Sequence, residues 1–90
     1  MAEVQFTSHL ERFFPTLKPT TVQGGNVKEI LIALDEIYPG IASYIVDESF
    51  ELRQHVNIFI GENMIIDRVE LSDKVNTNDD IFIMQALSGG

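Results

Sequence analysis

The chain has no cysteine. A disulfide, a thiol nucleophile and a thiolate metal site are therefore excluded, and the absence fits a reducing compartment. Basic residues are also scarce. Six Lys and Arg stand against fourteen Asp and Glu, for a net charge of −8. The six (Arg12, Lys18, Lys28, Arg53, Arg68 and Lys74) are scattered along the sequence. Phosphate contacts need clustered cations, so the composition argues against nucleic acid as a partner. Long apolar runs are missing too. No stretch approaches the ~18 residues of a membrane helix, and no signal-peptide pattern opens the sequence. A cytoplasmic protein with no membrane contact is expected.

Chemistry-bearing clusters are equally thin. His9 and His55 are the only histidines. Neither has an acidic or cysteine partner at metal-ligand spacing, so no metal site is predicted. Gly24-Gly25 precedes a helix but lacks the lysine and spacing of a phosphate loop, so no bound cofactor is expected. Ser88 has no neighbouring base and is not a nucleophile. Asp79-Asp80 reads as a solvated turn. There are no internal repeats and no low-complexity segments.

What is present is a 90-residue sequence, 44% hydrophobic, which is enough for one small core. Glu3 to Thr7 alternates polar and apolar and reads as a strand with Val4 and Phe6 inward. Ser8 to Pro19 is a long hairpin loop or holds a short helical turn. Phe13 and Phe14 are expected to plug one end of the core. Thr20 to Gln23 is a second strand. Asn26 then looks like a helix N-cap, with Glu29 completing a capping box. Val27, Ile30, Leu31, Leu34, Ile37 and Tyr38 recur at helical spacing until Pro39-Gly40 ends the run. A further helical turn is expected near Ile41 to Val46, with Ile41, Tyr44 and Ile45 inward. His55 to Ile60 is a strong strand with Val56, Ile58 and Ile60 on one face. Met64 to Ile66 is a short returning strand. Asp67 to Asn78 is a polar loop anchored by Val69, Leu71 and Val75, and Ile81 to Met84 is the last strand.

Helical material covers one stretch only, so it can cap only one sheet face. The order of elements predicts an α+β fold of β-grasp type: a mixed sheet of four to five strands over one main helix. In that fold the first and last strands pair in parallel at the centre. Residues 1–84 form the domain, and residues 85–90 form a flexible tail.

That tail, Gln85-Ala86-Leu87-Ser88-Gly89-Gly90, follows Met84, is uncharged and closes on two glycines. Without a Cβ, glycine can enter a slot too narrow for other residues. A terminal carboxylate, with a pKa of about 3.5, is ionised at neutral pH and is a poor electrophile until activated. The pattern points to a protein whose reactive group is the carboxylate of Gly90, with Gly89 lining its approach. Partner contacts are expected at Leu87 and Ser88 and at an outward apolar patch of Phe59, Phe82 and Met84. The excess of acids would steer that patch toward a basic surface.

Three segments make the sequence resemble the MoaD/ThiS family of ubiquitin-like sulfur carriers. They are Val27-Lys28-Glu29-Ile30-Leu31 with Ile37-Tyr38-Pro39-Gly40-Ile41, then Arg53 to Ile60, then Asp79 to Ile83 leading to Ala86-Leu87-Ser88-Gly89-Gly90. Many tails of the family carry prolines where this sequence has Gln85-Ala86. The resemblance implies a carrier rather than an enzyme, possessing no bound cofactor. It also implies two partners: an ATP-dependent activating enzyme of MoeB/ThiF type, and a synthase that accepts the sulfur for molybdopterin, thiamin or cysteine synthesis. Two other readings stay open from the residues: a modifier joined to lysine through Gly90, and a plain interaction domain.

Overall fold

The computed structural model describes residues 1–85, the side chains of Ser8 and His9 excepted. The elements in chain order are β1 (Ala2–Phe6), α1 (Ser8–Glu11), β2 (Thr20–Val22), α2 (Val27–Ile37), α3 (Ala42–Ile45), β3 (Val56–Ile60), β4 (Asn63–Met64) and β5 (Asp80–Gln85). The five strands form one sheet in the order β2-β1-β5-β3-β4. β1 and β5 run parallel, with Val4 opposite Ile81 and Phe6 opposite Ile83. The other three pairings are antiparallel. This is the expected β-grasp arrangement, with β5 in the middle of the sheet.

Alternation along the strands sends one set of side chains to the core. Val4, Val56, Ile58, Ile81 and Ile83 are buried beneath α2, whose Val27, Ile30, Leu31, Leu34 and Tyr38 meet them. α2 begins where expected. Asn26 Oδ1 accepts the Glu29 N–H at 2.9 Å. Glu29 reaches back to the Gly25 N–H at 2.7 Å, one residue earlier than an ordinary capping box. β5 runs through Gln85, so that residue is the end of the strand rather than the start of the tail.

Several sequence expectations give way. α1 forms, but the plug behind it is made by Leu10 and Leu17. Phe14 is only partly buried, and Phe13 is half exposed. Phe13 instead stacks on Tyr44, with ring centroids 5.0 Å apart, so Tyr44 also stays at the surface while Ile41 and Ile45 turn inward. Two flat rings cover each other and satisfy their apolar faces outside the core. Ile37 lies on the solvent side of the last turn of α2. Val69 is exposed, and the polar loop is anchored by Leu71 and Val75 alone. β4 stops at Met64; Ile65 turns inward and Ile66 is 90% exposed.

The loop between β4 and β5 is built around two aspartates. Asp73 accepts the N–H groups of Ile66 and Asp67. Asp67 accepts the N–H groups of Val69, Glu70 and Ser72 and the Ser72 hydroxyl. These donors, led by the Ser72 hydroxyl, lower the Asp67 pKa to about 2. The loop in turn closes over the start of α2. The carbonyls of Asp73 and Leu71 accept the Val27 and Lys28 N–H groups at 3.1 and 3.0 Å.

Candidate functional site

The sheet face away from α2 carries the candidate docking surface. Because Ile81 and Ile83 point inward, Phe82 and Met84 point outward, 37% and 41% exposed. The ladders align a row across four strands. Gln5 on β1 lies opposite Phe82, Phe82 opposite Phe59, and Phe59 opposite Met64. Met84 stands beside this row, opposite Asn57. The expected trio of Phe59, Phe82 and Met84 is thus brought together, and Met64 extends it. Sequence reading missed Met64, although its alternation with inward Ile65 was visible. Glu3 and Asp80, paired on β1 and β5, border the patch with negative charge.

Arg68 fastens one margin of this surface. Its guanidinium donates to Asn57 Oδ1 at 3.0 Å and to the carbonyls of Arg53 and Val56 at 2.7 and 3.0 Å. Arg53 in turn donates to the carbonyls of Ser43 and Val46. Arg68 is thus held at the start of β3 and Arg53 against the carbonyls of α3 and its C-cap, while Glu3 and Asp80 give the patch an acidic border on the β1 side.

The tail begins at this end of the sheet. Leu87, Ser88, Gly89 and Gly90 lie outside the described residues. Their attachment point is not vague, however, because Gln85 is the last residue of the central strand, paired with Val56.

The remaining candidates are not drawn into a site. The α2 N-terminus offers no free donor, since the N–H groups of Val27, Lys28, Glu29 and Ile30 are all taken within the chain. An anion needs those groups, so Gly24-Gly25 is a structural turn. Asp79 accepts the Asn76 N–H at 2.7 Å and closes a turn. Among the described residues no group of three or more His, Asp or Glu side chains could hold a metal ion. No described helix is long and apolar enough to cross a membrane.

Comparison of the sequence with protein-family models and with curated proteins finds no match. Solved structures do match the fold. A chain of the BexX/CysO complex of Amycolatopsis orientalis superimposes with a TM-score of 0.86 at 22% identity, covering 100% of both chains. CysO of Mycobacterium tuberculosis gives 0.84 at 20% identity over 97% of this chain and 100% of its own. The chain has the ubiquitin-like β-grasp fold of CysO. The small archaeal modifier protein SAMP1 of Methanosarcina acetivorans shares it, with a TM-score of 0.79, 25% identity, and coverage of 99% and 95%. The likeness to CysO and SAMP1 agrees with the resemblance of the sequence to the MoaD/ThiS family.

Proposed function

We propose that this protein is a sulfur carrier whose reactive group is the carboxylate of Gly90. The observation that carries the reading is the position of β5. The strand leading to residues 86–90 is the central one, held on both sides by β1 and β3. It also presents Phe82 and Met84 on the outer face beside Phe59. A partner that grips this patch would find the tail leaving from a fixed point. Five extended residues reach about 17 Å, enough to enter a buried site.

The chemistry follows from the carboxylate. As an anion it resists nucleophiles. An activating enzyme would let a carboxylate oxygen attack the α-phosphorus of ATP, releasing pyrophosphate and leaving an acyl-adenylate. A sulfur nucleophile would then displace AMP and leave a thiocarboxylate, which a synthase consumes. The chain itself supplies the acyl group and the docking surface, and ATP is held by the partner. The fold shared with CysO supports this reading.

The fold shared with SAMP1 favours a second reading, in which the activated Gly90 is joined to a lysine of another protein. Both readings need activation. Deleting Gly90 should abolish ATP–pyrophosphate exchange by the cognate activating enzyme while leaving the melting temperature unchanged, and exchange at the wild-type rate would sink both. Intact mass after reaction with that enzyme, ATP and sulfide separates them. A carrier gains about 16 Da as oxygen is replaced by sulfur in the acyl transfer, and a modifier instead appears as a larger conjugate.

A further inference from the structure

Three contacts converge on Gln85. It lies opposite Val56 in the β3–β5 ladder. Its backbone N–H points to the Thr7 hydroxyl, 3.5 Å away, just beyond β1. Its side-chain Nε2 lies 3.2 Å from Nε2 of His55, just before β3. The last residue of the central strand is thus held from both flanking strands.

The side-chain contact has a polarity. An amide nitrogen offers only hydrogens, so the imidazole Nε2 facing it must present a lone pair. That is the neutral ring with its proton on Nδ1. The other end of the amide, Oε1, is buried and accepts no hydrogen bond from the described residues. A charged imidazole donates at both nitrogens, so its Nε2–H would meet the amide N–H groups head-on. The amide must then turn over and offer Oε1 to the ring. The terminal amide torsion of glutamine is broad and roughly two-fold, so this turn is open to it.

We propose that Thr7, His55 and Gln85 form a clamp at the root of the tail, and that protonation of His55 reverses the Gln85 amide within it. His55 and Thr7 are positioning residues, acting on the tail only through Gln85. The use of the clamp in presenting Gly90 rests on the function proposed above; the clamp itself does not. Asp47, Glu51 and Arg53 line the same groove as His55. A titration step at Gln85 is assigned to the His55 ring by their shared midpoint and by its loss in His55→Gln, which separates that ring from His9, Asp47 and Glu51.

The test is a nuclear magnetic resonance titration of the 15N-labelled full chain from pH 5 to 8.5. The Gln85 side-chain NH2 resonances should move in a one-proton step with the same midpoint as the His55 ring. His55→Gln should remove the step while preserving the fold. Should that variant unfold, Gln85→Met serves in its place: ring titration should then leave the backbone N–H of position 85 unmoved. Thr7→Val should shift the Gln85 backbone N–H at every pH and keep the side-chain step. Gln85 NH2 resonances that stay fixed while the ring titrates would overturn the clamp, as would a step that survives His55→Gln. The isolated chain is enough for this experiment, so failure of ATP–pyrophosphate exchange would count against the carrier and modifier readings without touching the clamp.

Discussion

Phe59 and Phe82 face each other across the β3–β5 ladder, on the sheet face that α2 does not cover. Neither ring is needed to fill the core, which lies on the opposite side of the same strands. Replacing Phe82 by Ala should therefore leave a folded domain and weaken docking. An affinity for the cognate activating enzyme reduced tenfold or more by calorimetry, with a near-normal melting curve, is the expected result. Loss of the folded state would place Phe82 in the core instead.

Leu34 is the contrasting case. It is fully buried in the C-terminal half of α2, on the face toward the core. Leu34→Ala should cost about 2–5 kcal/mol, from lost burial and the cavity left behind. Urea denaturation measures this directly, and an unchanged midpoint would contradict the packing.

Adjacent glycines should behave differently. A Cβ on Gly24 would lie 3.0 Å from both Ile30 Cδ1 and the Ile30 backbone nitrogen. The nitrogen belongs to the first turn of α2 and cannot give way cheaply. Gly24→Ala should destabilise by about 1–3 kcal/mol through overpacking. A Cβ on Gly25 meets only the Glu29 Oε1 at 3.5 Å, an ordinary contact. Gly25→Ala should stay close to wild type, and equal losses at the two positions would refute the distinction.

Asp67 gives a prediction in pH. Its folded pKa of about 2 lies below its unfolded value of 3.8. The unfolded chain therefore binds the proton more readily, and stability rises with pH through this window. The contribution of Asp67 is complete above pH 4 and disappears as pH falls through 2. Asp67→Asn should remove this part of the acid dependence. Denaturation midpoints at pH 2, 3, 4 and 5 should fall less steeply toward acid in the variant than in the wild type.

The sequence made the sheet and the helix legible because both rest on regular periods. Alternation in Val56 to Ile60 and Ile81 to Met84 assigned inward and outward side chains correctly, and with them the expected patch. The failures fall where no period operates. Phe13 and Phe14 are adjacent, and nothing local says which ring turns inward; Leu10 and Leu17 fill the space, and Phe13 finds Tyr44 instead. Val69 and Leu71 look alike in a polar loop. Leu71 is buried by a left-handed backbone, φ +56°, which sequence gives no reason to expect of a leucine. Asp67 and Asp73 lie in a stretch that reads only as a polar loop, yet their carboxylates organise it. The Gln85 clamp joins positions 7, 55 and 85, and only the assembled sheet brings them together.

The parallel pairing of β1 with β5 has a consequence for synthesis. Glu3 waits for Asp80, and Phe6 for Ile83. Until β5 has emerged from the ribosome, β1 has only β2 beside it and the core lacks its middle strand. The nascent chain therefore holds apolar surface open until nearly all of the described residues are made, a condition that invites aggregation or chaperone capture. On the function proposed above, folding and use of Gly90 therefore depend on the same strand. A fragment released before residue 80 would lack the central strand of its sheet.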